Sequence, residues 1–175
     1  MSESSAPTLT NERVQLLRTI HQNHVQLSSI ADQKASVLVA AALLVLAIIF
    51  VNFDAAHPSI TLIVLAAFTL ASACFATFSI LPRSRPEAGR AHKFNLFFFG
   101  SFAQLSEREF TTSLMNVIHK DGPALEAMIH DIYQLGTFLY LRKYRFLRLA
   151  YVILLVGLGC TGLTWFIELL TSGKG

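Results

Sequence analysis

Residues able to do chemistry occur in this sequence as two short polar groups rather than as one motif. Asp32, Gln33 and Lys34 come directly before a long uncharged stretch. The second group is spread over the middle of the chain and consists of Asn95, Gly100, Glu109, Asp131, Gln134 and Lys143. Single residues of these types usually form ion pairs on helix surfaces, or extend an amine toward lipid headgroups, as Lys34 and Lys143 could. Only as a set do they suggest a ligand pocket.

No arrangement typical of catalysis or of a metal centre is found in the sequence. The six histidines form no pair with Cys or Glu at metal-ligand spacing, and His21 and His24 lie three residues apart on a polar face. Glycine-rich phosphate loops are absent. Cys74 and Cys160 lie in apolar stretches, where cysteine acts as a small apolar side chain. We therefore expect no enzymatic activity, no metal and no cofactor.

The composition indicates that part of the chain is solvated by something other than water. It is 53% hydrophobic and only 14% charged, and its mean hydropathy is +0.52. Residues 35–53, 59–81 and 149–167 contain no Asp, Glu, Lys or Arg, and each stretch is near the roughly 20 residues that cross a bilayer core. As buried helices of a soluble bundle they would leave too little polar surface to cover them. We predict transmembrane helices at 35–53, 59–81 and 149–170.

The distribution of basic residues predicts the orientation of these spans. Ten of the fourteen Lys and Arg residues lie between residues 83 and 148, whereas the turn at 54–58 has none. Because Lys and Arg are enriched in cytoplasmic loops, the N-terminus and residues 82–148 are predicted to be cytoplasmic and the C-terminus periplasmic. Basic clusters can also bind nucleic acid, but their position beside spans favours lipid headgroups, so we expect a bilayer and no nucleic acid as partner.

The polar segments begin with an amphipathic helix. Apolar residues recur at three- and four-residue spacing from about Leu9, so residues 1–34 are predicted to form a helix that continues into the first span. These residues lack the apolar core of a signal peptide, so we expect the first span to be kept as an anchor. Residues 82–89 are predicted to form a connector, and 94–100 a loop or short extended piece.

Two further helices are predicted downstream. Ser106 and Glu109 fit a capping box, which predicts a helix over residues 107–119. Pro123 suits the first position of the next helix, which could continue into the third span with Gly136 as its weak point. The predicted fold is an all-α membrane protein, in which three transmembrane helices are continuous with a small cytosolic helical bundle.

Four short motifs, in this order along the chain, are similar to those of a known family. They are Ala31-Asp32-Gln33-Lys34-Ala35, Asn95-Leu96-Phe97-Phe98-Phe99-Gly100, Ser106-Glu107-Arg108-Glu109-Phe110, and Asp131-Ile132-Tyr133 followed by Arg142-Lys143-Tyr144. From about Asn11 to Leu170 the chain resembles the Pycsar effector domain of bacterial anti-phage systems. The resemblance rests on the order of several motifs rather than on one diagnostic signature.

The resemblance implies a function in the bacterial inner membrane. Such proteins are encoded beside a pyrimidine cyclase that makes cyclic CMP or cyclic UMP on infection. This chain would be the membrane effector that responds to the nucleotide, impairs the inner membrane and kills the infected cell. With no enzymatic constellation, it would act through a ligand-induced shift of its helices. Because three spans cannot enclose an aqueous path alone, a homo-oligomer is expected.

A cyclic nucleotide requires a cation or amides for its phosphate, an apolar or aromatic wall for its base, and polar groups for the pyrimidine edge. Phe97 to Phe99 supply aromatic rings, although an aromatic run could equally be the core of the cytosolic bundle. Under the resemblance the candidate ligand-binding residues are Asp32, Lys34, Asn95, Phe97, Phe98, Gly100, Asp131 and Lys143.

Two other functional classes stay open at this point. The protein could be a membrane anchor or scaffold for a partner signalling protein, or a pore-forming toxin that needs no ligand. About 100 residues of polar helix argue against a simple pore. Small residues four apart, as in Ser36/Ala40, Ala67/Ala71, Ser72/Ala76 and Gly157/Thr161, support close packing between spans and between subunits.

Overall fold

The computed structural model describes residues 6–54, 59–81, 94–119 and 121–172. Within these ranges all regular structure is helical, which confirms the predicted all-α class. The elements are α1 (Ala6–Asn52), α2 (Ile60–Ile80), α3 (Phe99–Phe102), α4 (Glu107–Ile118), α5 (Asp121–Phe138), a π-helical turn (Leu139–Tyr144) and α6 (Arg145–Ser172). The connector predicted at 82–89 and residues 55–58 of the predicted turn lie outside the described residues.

Three helical segments are long and apolar enough to cross a membrane, as predicted. They are residues 11–52, 60–80 and 122–171. The 47 residues of α1 extend about 70 Å, more than twice the roughly 30 Å of a bilayer core. The predicted continuity between the N-terminal polar helix and the first span is confirmed, since α1 runs without interruption from Ala6 to Asn52.

The chain divides into two compact units, each built from two separate stretches. Residues 29–81 and 140–175 form the first, which holds the apolar helices and is called the span unit. Residues 1–28 and 82–139 form the second, called the α4–α5 unit after its main helices. The chain passes between the units three times: within α1, after Leu81, and within the π-helical turn.

Small side chains form the packed centre of the span unit. Its buried core consists of Ala31, Ala35, Leu38, Ala76, Leu147 and Ala150, drawn from α1, α2 and α6. Small residues let helix backbones approach closely, which is how helices associate without a hydrophobic force between them in lipid. Ser72 adds a hydrogen bond, because its hydroxyl donates to the carbonyl of Ala150 at 2.9 Å. The core therefore joins all three spans.

Gly157 is a point of close contact between α2 and α6. A Cβ atom added at this position would collide with Cβ of Phe68. At Gly159, by contrast, an added Cβ would meet no described atom within 4 Å. Of the predicted small-residue pairs, Ser72 and Ala76 are buried, whereas Ser36 and Ala40 are exposed on the single chain. A packing role between subunits for the exposed pair stays a prediction.

A carboxylate group joins the beginning of α2 to the end of α6. One oxygen of Glu168 accepts from the Thr61 amide at 3.3 Å and the other from the Thr61 hydroxyl at 2.9 Å. The Ser59 hydroxyl donates to both oxygens at 3.1–3.2 Å. A carboxylate at a helix N-terminus satisfies amides that have no partner within the helix. Glu168, Ser59 and Thr61 are called the Glu168 cluster below.

The predicted capping box is confirmed at the start of α4. The amide of Glu109 donates to the Ser106 hydroxyl at 3.3 Å, and the Glu109 carboxylate accepts from the Ser106 amide at 2.8 Å. The Ser106 hydroxyl also donates to the Glu109 carboxylate at 2.7 Å, and this bond first, then the bond from the Ser106 amide, lower the pKa of Glu109. The helix ends with His119 as its C-cap, where the sequence predicted its end.

The start of α5 corrects the sequence-based prediction for Pro123. The helix begins at Asp121, two residues before the proline. Proline is tolerated anywhere in the first helical turn because amides there have no intrahelical acceptor. Gly136, predicted as the weak point, lies inside the helix, and a Cβ there would come within 3.1 Å of the His24 ring. Its role is therefore to let α5 lie against α1.

The prediction of a loop or extended piece at 94–100 is right in its first part and wrong in its last. Residues 94–98 form a turn, but α3 begins at Phe99 and includes Gly100. The carbonyl of Phe98 accepts from the amides of Ser101 and Phe102 at 2.9 and 3.1 Å. These bonds close one helical turn, which apolarity and a glycine alone do not predict.

Candidate functional site

The eight predicted ligand-binding residues fall into two sets, one in each unit. Asp32, Lys34 and Lys143 belong to the span unit. The other five are in the α4–α5 unit and are Asn95, Phe97, Phe98, Gly100 and Asp131.

In the span unit, Lys143 and Asp32 form an ion pair in which Lys143 is buried and Asp32 is partly exposed. The Lys143 amine lies 2.7 Å from Oδ2 of Asp32, and Lys143 is only 7% exposed. The Asp32 side chain is 41% exposed, yet its Oδ1 is buried and finds no hydrogen-bond partner among the described residues. A buried ammonium requires an anionic partner, and here the carboxylate supplies it. The alternative that Lys143 extends into lipid headgroups is wrong.

Lys34 does not share this burial. It is exposed, and its carbonyl accepts a long hydrogen bond of 3.5 Å from the hydroxyl of Tyr151 on α6. Lys34 comes two residues after Asp32 on α1. Because each residue of an α-helix turns about 100°, the two side chains lie on different faces of the helix. Of the two lysines in the predicted site, the structure therefore brings only Lys143 to Asp32.

The π-helical turn that contains Lys143 was not predicted from the sequence. Leu139–Tyr144 interrupts the long helical run formed by α5 and α6. A π turn has i to i+5 hydrogen bonds and is found mostly as a single wide turn inside an α-helix, frequently at functional positions. No residue in the segment, which reads LYLRKY, is a helix breaker. The nearest sequence signal was Gly136, three residues before the turn begins.

In the α4–α5 unit, Asn95 is the centre of a polar cluster. Asn95 is only 3% exposed. Its side-chain amide donates to Asp131 at 2.8 Å and to Gln134 at 3.0 Å. Its own side-chain oxygen accepts from the amide of Phe97 at 2.9 Å. A buried amide with both its donor and acceptor groups bonded holds the turn 94–98 against α5. In this conformation the role of Asn95 is therefore structural: it holds the turn 94–98 to α5.

Histidines extend this polar cluster on two sides, and sequence reasoning missed them. His21 on α1 places its Nδ1 atom 3.3 Å from Oδ2 of Asp131. His130 lies 3.0 Å from the side-chain amide of Gln134. The sequence signal for His21 was its place on the helix that precedes the first span, but the spacing was judged only against metal binding. We call Asn95, Asp131, Gln134, His21 and His130 the Asn95 cluster.

The aromatic run lies at the surface of the α4–α5 unit. Phe97 is 41% and Phe99 59% exposed, so neither belongs to the core of this unit, contrary to the alternative considered from the sequence. Phe98 is half-buried, and its ring covers Gly100 so closely that an added Cβ would lie 2.5 Å from Cε1. The ring centroids of Phe98 and Phe99 are 4.9 Å apart. Gly100 therefore makes room for Phe98, and the flanking rings present apolar surface.

Together these features describe a particular class of protein: a helical membrane protein with three spans and a helical polar unit that carries its own buried hydrogen-bond cluster. Within the described ranges, no group of three His, Cys, Asp or Glu residues could hold a metal ion.

A family model described as the Pycsar effector protein domain, PycTM, matches residues 15–171. The chain belongs to this family, as the order of its motifs indicated, and is a membrane effector of the Pycsar anti-phage type. No curated protein and no solved structure matches the chain.

Proposed function

We propose that the protein is a ligand-gated effector that a cyclic pyrimidine nucleotide, cyclic CMP or cyclic UMP, converts from a resting to a membrane-impairing state. The nucleotide would come from a pyrimidine cyclase encoded beside it, and damage to the bacterial inner membrane would end in the death of the infected cell. The observation that carries the proposal is the family match over residues 15–171, which covers both the apolar helices and the α4–α5 unit.

The helical connectivity supports a gating mechanism rather than a passive anchor. The chain passes between the units three times, and two of these crossings, inside α1 and inside the π-helical turn, are helical. A ligand that binds one conformation of the α4–α5 unit better can shift the equilibrium of helices that continue into the span unit. A passive anchor would need no such continuity.

The α4–α5 unit offers two of the features that a cyclic nucleotide requires. The exposed rings of Phe97 and Phe99 provide surface on which a base can stack. Asp131, Gln134 and Asn95 provide carboxylate and amide groups of the type that bind a pyrimidine edge. In the present conformation they bond one another, so a bound base would have to replace these contacts.

Orientation and assembly follow from the same proposal. A nucleotide made in the cytoplasm requires the N-terminus and residues 82–148 to be cytoplasmic, with the C-terminus periplasmic, as the Lys and Arg distribution predicts. Three helices alone cannot surround an aqueous path, so impairment of the membrane by a pore requires several copies of the chain.

The proposal is tested by the thermal stability of the detergent-solubilised protein with cyclic CMP, cyclic UMP, cyclic AMP and cyclic GMP. A ligand that binds only the folded state at a hundred times its Kd adds about 2.7 kcal/mol of stability, so one pyrimidine nucleotide should raise the unfolding temperature and the purines should not. Phe97→Ser should remove most of this shift, because it removes a stacking surface.

Tyr133→Ser is the matched control, since Tyr133 is an exposed ring on α5 of the same unit and 69% accessible. It should leave the nucleotide-induced shift intact. If none of the four nucleotides changes the unfolding temperature, the gated mechanism is wrong and the scaffold or ligand-independent toxin becomes the better explanation. If Tyr133→Ser removes the shift as fully as Phe97→Ser, the stacking site is not at the Phe97 turn.

A further inference from the structure

The Asp32–Lys143 pair holds α1 to the segment that leads into α6. Asp32 follows Ala31, and Lys143 precedes Leu147 by one helical turn, and both of these apolar neighbours belong to the buried core of the span unit. The pair therefore lies at one edge of that core. Whatever breaks it changes how α1 and α6 pack where the core begins.

The pair is incompletely satisfied on the side of Asp32. One carboxylate oxygen bonds the Lys143 amine, but the other is buried and finds no hydrogen-bond partner among the described residues. A buried ionic contact is favourable only when its remaining lone pairs are also bonded. This pair thus holds one arrangement of the helices without stabilising it as strongly as a fully bonded pair would.

The backbone around Lys143 has an alternative geometry close at hand. A π turn differs from an α-helix by one extra residue in the turn, and its hydrogen bonds run to the fifth rather than the fourth residue. Conversion of 139–144 to α-helical geometry would move the following residues by one position, about 100° around the helix axis. Lys143 lies within the converted turn, and its side chain would then no longer face Asp32.

We propose that the Asp32–Lys143 pair is the latch of the resting state, and that activation breaks it and releases the π turn. The proposal rests on the proposed function only in requiring a resting and an active state. It assigns Lys143 a role different from nucleotide contact, because its amine is already committed to a carboxylate within the span unit. A ligand contact and a latch make opposite predictions: loss of a contact silences the effector, whereas loss of the latch activates it.

The first experiment compares dye release from liposomes that contain purified wild type, Asp32→Ala, Lys143→Met, or the exchanged double variant Asp32→Lys/Lys143→Asp. Each single variant should release dye without nucleotide at least about tenfold faster than wild type, because loss of one partner of a buried pair shifts a two-state equilibrium by more than a decade. The exchanged variant should return release to the resting rate, since it restores the ion pair.

Arg145→Met is the matched control, because Arg145 is an exposed cation two residues after Lys143. It should leave release at the wild-type rate. Single variants that stay silent while the protein is inserted overturn the latch. Release by Arg145→Met equal to that of Lys143→Met also overturns it, since any loss of positive charge would then suffice.

A second measurement uses the wild-type chain and so does not depend on whether a variant folds. An amine-reactive reagent, read by mass spectrometry, should modify Lys143 slowly at rest because the residue is only 7% exposed, and faster once the activating nucleotide is added. Denatured protein gives the full rate. A Lys143 that stays protected with a nucleotide that raises the unfolding temperature overturns the latch alone. If no nucleotide binds the wild type but the single variants release dye, then gating by a nucleotide is wrong and the latch is still supported.

Discussion

The two polar links of the span unit differ in how their charge is held. Asp32 meets Lys143 through one oxygen, at 2.7 Å, and its other oxygen has no hydrogen-bond partner in the part of the chain that the structure describes. In the Glu168 cluster, both carboxylate oxygens accept hydrogen bonds, from two hydroxyls and a backbone amide. Lys143 and Glu168 are 25 residues apart, which is about 37 Å of helix at 1.5 Å per residue and more than the roughly 30 Å of a bilayer core.

The difference shows which link can act as a switch. Several neutral donors around one carboxylate back each other up, so removing any one leaves the others in place. In the Asp32–Lys143 contact the attraction is between two charges, and loss of Asp32 takes its carboxylate away from a buried ammonium group. The Glu168 cluster therefore suits a permanent fastening of α2 to α6, whereas the Asp32–Lys143 pair suits a contact that is made and broken.

The largest effect in this comparison is expected from Asp32→Ala. It should lower the stability of the solubilised resting protein by about 3 kcal/mol, the lower end of the usual cost of removing one partner of a buried ion pair, because the Asp32 side chain is partly exposed. Ser59→Ala, which removes one donor from the Glu168 cluster, should cost about 1 kcal/mol or less. Chemical unfolding of both variants in the same detergent measures the difference. Equal losses of stability for Asp32→Ala and Ser59→Ala would show that the ion pair and the Glu168 cluster do not differ in their dependence on a single partner.

An intermediate effect is expected from Gly157→Ala, which tests whether packing rather than polar contacts fastens α2 to α6. The added methyl group collides with Phe68, and overpacking of this kind typically costs about 1–3 kcal/mol. Gly159→Ala is the matched control two residues away, where an added Cβ meets open space. It should be neutral or slightly stabilising in the helix. A Gly159→Ala variant as unstable as Gly157→Ala would mean that the glycines act through backbone conformation instead of close contact.

The sequence predicted those parts of the fold that depend on local pattern. Uncharged apolar stretches gave the three spans, and the Ser106 and Glu109 pair gave the start of α4, because a capping box joins residues only three apart. Gly157 was expected to allow close helix contact, although the sequence could not tell that Gly159 would not. The partner of a glycine lies on another helix, so spacing along one helix does not identify it.

The sequence did not predict features that arise from contacts between distant segments. The π turn has an ordinary helical sequence, and it exists where α1 and α6 pack around Lys143. His21 meets Asp131 across 110 positions of the chain, a distance that no local pattern spans. Four of the candidate residues, Asp32, Asn95, Asp131 and Lys143, form part-buried polar contacts within the chain, which does not test ligand binding. Whether they bind a nucleotide stays a prediction.

The smallest expected effect extends the comparison to a capping carboxylate in water. Glu109 caps α4 as Glu168 caps α2, but it is exposed to solvent. Because Ser106 lowers the pKa of Glu109 in the folded state, its ionised form stabilises α4 above the unfolded pKa of about 4.3, and this contribution is lost as the pH falls through the lower folded value. Glu109→Gln should therefore be slightly less stable than wild type at neutral pH, and the difference should disappear in strong acid.

Thermal unfolding of wild type and Glu109→Gln at neutral and acidic pH measures this effect. Glu107→Gln is the control, because it removes the same charge from the same helical turn without touching the capping box. A loss for Glu107→Gln equal to that for Glu109→Gln would assign the effect to the helix dipole, which acts on any carboxylate in the first turn. A larger loss for Glu109→Gln assigns it to the hydrogen bonds with Ser106.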